Sequence, residues 1–105
     1  MKIAVIVAMS KELNLLLPLL KDTSIVNANN FDFHTGKLGN HDIIAVQCGI
    51  GKVNAAISTL TLIENFHPSL VINTGVAGGT GKGAQILDVV IADRIAYHDC
   101  WCGPG

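Results

Sequence analysis

Ile3 to Ala8 is an almost unbroken apolar run rich in β-branched side chains, the pattern of a strand buried on both faces of a parallel sheet. Ser10 is a suitable N-cap, and Leu13, Leu16, Leu17 and Leu20 recur at helical spacing, which predicts a first helix from about Lys11 toward Leu20. Pro18 is expected to bend or end it, because proline lacks an N–H and crowds the carbonyl of Asn14, at ~3 kcal/mol in a straight helix. The polar stretch from Lys21 to Asn30 reads as a loop or a sheet edge. Phe31 to Lys37 and Asp42 to Gln47 read as two strands separated by Leu38-Gly39-Asn40-His41, a tight hairpin in which Gly39-Asn40 can supply positive φ. A second helix is predicted over Gly51 to Phe66, with Val53, Ala56, Ile57, Leu60 and Ile63 on its apolar face and His67-Pro68 as its stop. Leu70 to Asn73 is the next strand, Thr80 to Ala84 a glycine-rich loop, and Asp88 to Tyr97 a final strand at an edge or sheet end, since Asp93-Arg94 interrupts it.

The order β-α-β-β-α-β-β gives an α/β fold with a mixed, largely parallel sheet flanked by helices. Two helices cannot cover both faces of a sheet this apolar, so something else is expected to cover the remainder. The chain has no internal repeat or low-complexity tract. Half of its 105 residues are hydrophobic and only 14% are charged, which suits one globular domain and argues against disorder. The net charge of -1, with scattered basic residues, provides no footprint for a nucleic-acid backbone or an anionic membrane. Three cysteines without framework spacing fit a reducing, cytoplasmic setting. Ile3 to Met9 is too short for a signal-peptide core and is interrupted by Ser10-Lys11-Glu12; no stretch is long enough to span a bilayer.

Candidate chemistry collects at two glycine turns. Val71-Ile72-Asn73-Thr74-Gly75-Val76-Ala77-Gly78-Gly79 carries a strand into a turn with almost no side chains, and Cys48-Gly49-Ile50-Gly51-Lys52 carries another strand into a helix. Such turns at the carboxyl ends of strands let a ligand meet backbone N–H groups, although each can equally be a tight structural corner. Known phosphate motifs fail on their own mechanics. In Gly49-Ile50-Gly51-Lys52-Val53-Asn54 the third glycine of a dinucleotide fingerprint is Asn54, and the next strand ends at Asn73 in place of a ribose-binding carboxylate. In Gly78-Gly79-Thr80-Gly81-Lys82-Gly83, Val76 stands where a P-loop has its first glycine and Gly83 where it has its magnesium-binding hydroxyl. Ala8-Met9-Ser10-Lys11 lacks the acidic cluster of a phosphoacceptor domain. His98-Asp99-Cys100-Trp101-Cys102 has metal-capable side chains without the paired spacing of a zinc site, so no metal is expected. His34 and His41 are expected on hairpin surfaces, and His67 at a helix terminus.

Met1-Lys2-Ile3 with Ala8-Met9 and Glu12, then Gly49-Ile50-Gly51-Lys52-Val53-Asn54-Ala55-Ala56, Asn73-Thr74-Gly75-Val76-Ala77-Gly78-Gly79 and Tyr97-His98-Asp99, together resemble the 5′-methylthioadenosine/S-adenosylhomocysteine nucleosidases of the nucleoside phosphorylase and nucleosidase superfamily. The Met9 to Glu12 segment favours the hydrolases. The resemblance runs the length of this chain and covers about the N-terminal half of such a domain, so residues 1–105 are expected to form the N-terminal part of a nucleoside phosphorylase-like domain whose C-terminal portion is missing. It implies hydrolysis of an adenine N-glycosidic bond in methionine salvage, without metal or organic cofactor, in a homodimer whose partner is a small adenine nucleoside, with no nucleic acid or membrane involved. Glu12 would deprotonate the attacking water, as a carboxylate favoured by its place in a first helical turn. Ala8, Met9 and Ile50 match positions lining the sugar and thioalkyl pocket, and Val76, Ala77 and Gly78 match the turn near purine and ribose. The family's purine-protonating aspartate and its ribose-binding glutamate and methionine belong to a later segment. Many relatives carry serine at the position of Val76, which offers no hydroxyl to order water. Two rivals stay open: a purine nucleoside phosphorylase or other nucleosidase, and a catalytically silent, self-associating fragment. Without the resemblance, Glu12 would be read as a dipole-compensating surface residue, and Met9 and Ile50 as core residues.

Overall fold

Alternation along the first strand decides the layout. In the computed structural model, which describes residues 1–99, β1 (Lys2–Val7) lies between β4 (His41–Gln47) and β5 (Leu70–Asn73), parallel to both. Ala4 and Ile6 point to one face of the sheet, Val5 and Val7 to the other. Helix α2 (Lys52–Phe66) covers the first face over a cluster of Ala4, Ile6, Phe33, Ile44, Val46, Cys48 and Leu62. Helix α1 (Ser10–Leu16) covers the second over Val7, Leu13 and Ala45. Each large apolar side chain fully withdrawn from water contributes about 1.5–3 kcal/mol, so the cluster beneath α2 is the main core. β2 (Lys21–Ala28) and β3 (Phe31–Leu38) complete a sheet of order β2-β3-β4-β1-β5, in which β2, β3 and β4 are antiparallel neighbours. The sheet is therefore mixed, with two parallel and two antiparallel pairings.

Several expectations hold. β1, β5 and the β3–β4 hairpin stand where the apolar pattern puts them, within a residue at the ends. Pro18 ends α1 as an α-helix at Leu16, and the chain continues as a 3-10 turn over Leu17–Leu19. Leu13 and Leu20 are buried, and Leu16 and Leu17 pack against the cluster of Val7, Leu13 and Ala45. His67 adopts left-handed geometry at the C-cap of α2, donating its N–H to the Ile63 carbonyl.

Four corrections are needed, and one open alternative is resolved. The N-cap of α1 is Met9, not Ser10, because the Met9 carbonyl already accepts the Glu12 and Leu13 N–H groups. The stretch from Lys21 to Asn30, open between a loop and a sheet edge, is the edge: β2 is an edge strand closed by a second hairpin. Asn29 and Asn30 take φ of 50° and 64°, the two left-handed residues that a type I′ turn needs. At the β3–β4 turn only Gly39 has positive φ, 60°, while Asn40 does not. In α2 the predicted apolar face points outward: Val53 is 72% exposed and Leu60 58%. The buried face carries Ser58, Thr61 and Leu62. Its hydroxyls are satisfied by the helix's own backbone, Ser58 donating to the Ala55 carbonyl at 3.1 Å and Thr61 to that of Ile57 at 2.8 Å. Finally, Asp88 to Tyr97 forms no strand. Val89, Val90 and Ile91 are exposed there and pair with nothing among the described residues, and without a neighbouring strand an apolar run gains neither ladder hydrogen bonds nor burial.

The face of the β5 end stays open, with Leu70, Val71 and Ile72 all partly exposed, as expected for a sheet with two helices.

The Asn29-Asn30 turn makes a stability prediction. In the native polypeptide that carries this sequence, Asn30→Gly should hold or raise the urea unfolding midpoint, while Asn30→Val should lower stability by about 1–2 kcal/mol, the cost of a left-handed residue bearing a branched Cβ. An unchanged midpoint for Asn30→Val would contradict the left-handed turn.

Candidate active site

Two backbone hydrogen bonds draw the candidate region together. The Val7 carbonyl accepts the Cys48 N–H at 2.8 Å, and the Ile6 carbonyl accepts the Thr74 N–H at 3.1 Å. The segments leaving β4, β1 and β5 are thus held side by side at the carboxyl ends of three parallel strands, where open α/β sheets place their ligands.

The turn after β1 leads to the candidate catalytic carboxylate. Met9 is extended, with φ of -129° and ψ of 153°, and opens α1. Glu12 follows at the third helical position, where its Oε1 reaches back to accept the Met9 N–H at 3.1 Å. That bond is half of a capping box and holds the carboxylate in one orientation. Oε2 is buried and has no hydrogen-bond partner among the described residues. A buried acceptor left so costs about 1–3 kcal/mol, which a bound water or ligand hydroxyl would recover. Beside it lies a cleft of about 360 Å³ lined by Glu12, Leu15, Leu16, Thr74, Gly75 and Val76. Its lining is largely apolar, so the carboxylate is its one ionisable group.

Of the other residues picked out by sequence, Val76 lines this cleft and is 84% exposed. Ala77 and Gly78 line a neighbouring cleft of about 400 Å³ with Gly79, Gln85 and Asp88, and Gly75 borders both. Ala8 and Met9 are half-buried in the turn after β1, outside the cleft lining. Ile50 is 76% exposed in the turn after β4, also outside it. That turn is built as its sequence suggests. Gly51, the N-cap of α2, has φ of 99° and ψ of 162°, a region essentially reserved for glycine. Asn54, in the place of a third fingerprint glycine, donates Nδ2 to the Ile50 carbonyl at 2.8 Å and closes the loop.

Sequence reasoning passed over Leu15, Leu16, Thr74 and Gly75 as cleft residues. The signal for the last two was their place directly after β5. It also passed over Lys52, whose ammonium pairs with Asp99 and stands 4.5 Å from the centroid of the Tyr97 ring. These contacts tether Tyr97-His98-Asp99 beside the start of α2. No three His, Cys, Asp or Glu side chains converge among the described residues, and Cys100 and Cys102 lie outside them. No described helix is long and apolar enough to cross a membrane.

Residues 2–104 match the family model of the phosphorylase superfamily. A 5′-methylthioadenosine/S-adenosylhomocysteine nucleosidase of Exiguobacterium is 46% identical over 99 residues, which make up 94% of this chain and 42% of that protein. An S-adenosylhomocysteine nucleosidase of Streptococcus pyogenes, solved with 5-methylthiotubericidin, superposes with a TM-score of 0.78 at 40% identity, covering 81% of this chain and 36% of that one. A 5′-methylthioadenosine/S-adenosylhomocysteine nucleosidase of Colwellia psychrerythraea in complex with adenine also gives a TM-score of 0.78 at 40% identity, covering 81% and 35%. The chain spans about 42% of the length of the curated relatives it matches.

Proposed function

The chain belongs to the phosphorylase superfamily, and from that premise we propose that it carries the water-activating part of a nucleosidase site that hydrolyses the adenine N-glycosidic bond of 5′-methylthioadenosine and S-adenosylhomocysteine. One observation carries this reading: Glu12, which lines a cleft at the strand ends, has one carboxylate oxygen held by the Met9 N–H and the other buried without a hydrogen-bond partner among the described residues. The similarity to nucleosidases solved with adenine and with 5-methylthiotubericidin supports the substrate class.

Hydrolysis proceeds through a transition state with positive charge on the ribose. Glu12 Oε2 takes a proton from water as the water oxygen bonds to the anomeric carbon. The bond to the purine breaks, its electron pair leaves with the base, and the base must gain a proton. By resemblance the acid for that proton, with the ribose-binding glutamate and methionine, belongs to a segment beyond these residues. Residues 1–105 are therefore proposed as part of one nucleoside phosphorylase-like domain. Ala8, Met9 and Ile50 are assigned to the sugar and thioalkyl side, and Val76, Ala77 and Gly78 to the purine and ribose side. With valine at position 76, backbone N–H groups take over the polar contacts that a serine hydroxyl would make. No metal or organic cofactor enters the scheme. The buried free thiol of Cys48 suits a cytoplasmic, reducing setting, and the reaction suits methionine salvage.

A homodimer belongs to the same reading. Val53, Ala56, Ile57 and Leu60 form an exposed apolar stripe on α2 that no described residue covers, and a second copy would bury it.

Two predictions follow from this site and this stripe. The native polypeptide should release adenine from 5′-methylthioadenosine without phosphate, and Glu12→Gln should lower its turnover by about 10²- to 10⁴-fold with folding preserved, because an amide cannot accept the proton of water. Strict phosphate dependence would make it a phosphorylase, and near-normal turnover of Glu12→Gln would return Glu12 to a helix-capping role. In sedimentation equilibrium the native polypeptide should have twice its chain mass, and Leu60→Asp should convert it to monomer. A wild-type monomer would remove the dimer, and an unaffected dimer would remove α2 from its interface.

A further inference from the structure

Gly75 stands apart from the other glycines of its turn. Its φ lies outside the left-handed range, so its backbone conformation is open to any residue. Space is what excludes a side chain. A Cβ at Gly75 would stand 2.8 Å from Glu12 Oε2 and 3.8 Å from Glu12 Cδ, and among the described residues beyond its chain neighbours it would meet no other heavy atom within 4 Å. Among the described residues, a Cβ at Gly78 would meet nothing, and one at Gly79 would stand 2.7 Å from Ala84 Cβ, away from Glu12. Among the described residues, chain neighbours aside, the one group that a Cβ at position 75 would crowd is therefore the Glu12 carboxylate.

That carboxylate has little freedom to retreat. Oε1 is held by the Met9 N–H, and the side chain leaves a position fixed in the first turn of α1. Gly75 is fixed from its own side by the bond from the adjacent Thr74 N–H to the Ile6 carbonyl of β1. A methyl group at Gly75 would have to turn Oε2 aside, break its partner's bond to Met9, or lift the segment after β5.

We infer that Gly75 is a positioning residue: by presenting no side chain it lets the end of β5 close over Glu12 and fixes the orientation of the carboxylate beside the cleft. This rests on the reading of Glu12 as the group that deprotonates water. Gly75 itself moves no proton. Its effect is on the aim of the carboxylate, and misplacing a catalytic group by about 1 Å can cost about 10²-fold in rate.

The test is a double-mutant cycle in the native polypeptide, using Glu12→Ala, Gly75→Ala and the pair, with adenine release and thermal unfolding measured on each. Gly75→Ala should lower kcat by about 10²-fold with KM little changed, the sign of an interaction that matters in the transition state. The pair should be no slower than Glu12→Ala alone, because once the carboxylate is gone its position is irrelevant. Multiplied losses in the pair would overturn the inference, as would a Gly75→Ala variant with unchanged kcat or one whose loss lies in KM. If Gly75→Ala fails to fold, the pair decides: native stability restored by removing the carboxylate supports the clash, and unfolding in both backgrounds overturns it. Normal turnover of Glu12→Ala would instead sink the proposed function, an outcome distinct from each of these.

Discussion

The candidate site depends on the parallel seating of β1 between β4 and β5. Parallel strands finish at the same end of a sheet, and here two further bonds, Cys48 N–H to the Val7 carbonyl and Thr74 N–H to the Ile6 carbonyl, extend the ladder past the last paired residues. The glycine turn after β4, the Ala8-Met9 turn and the Thr74 to Gly78 segment therefore start from one edge. Had β5 paired antiparallel, Gly75 and Glu12 would lie at opposite ends of β1. The antiparallel β2–β3–β4 part of the sheet has a different task. It carries Phe33 and the hairpin at Asn29, whose Nδ2 donates to the Thr61 hydroxyl at 3.1 Å and so docks α2.

Glu12 combines an observed capping bond with a proposed catalytic role at a helix start. Capping needs only one acceptor oxygen, and Oε1 supplies it. The second oxygen is then held still without being consumed, a geometry that a free surface glutamate would not keep. The short α1 contributes through position, since Leu13 and Leu16 anchor it to Val7 and Ala45. Its distal side, Leu15 and Leu16, becomes a wall of the cleft. Burial on one face and the proposed chemistry on the adjoining one follow from a single short helix.

Much of this was legible in the sequence because it rests on local rules. Pro18 dictated the end of α1, Gly39 the β3–β4 turn and His67-Pro68 the end of α2. The orientation of α2 was not legible. Ser58 and Thr61 look polar in a list of residues, yet they spend their hydroxyls on their own helix and become acceptable core, while the better apolar stripe faces out. The Asn29-Asn30 turn was readable in principle, since asparagine is the residue besides glycine that best tolerates left-handed geometry. Asp88 to Tyr97 failed for a nonlocal reason: a strand exists only with a neighbour. The role of Glu12 was suggested by family resemblance. Its unpartnered oxygen and the demand it places on Gly75 are properties of two segments more than sixty residues apart, beyond any local pattern.

The most direct test of the Glu12 assignment is a crystal structure of the native polypeptide with a non-hydrolysable adenine nucleoside analogue. The expected result is a nucleoside lying across the ends of β1 and β5, with an ordered water within about 2.6–3.2 Å of Glu12 Oε2, on the side of the anomeric carbon opposite the purine. A nucleoside bound away from these strand ends, or Oε2 engaged by a protein donor with no water between it and the sugar, would contradict it.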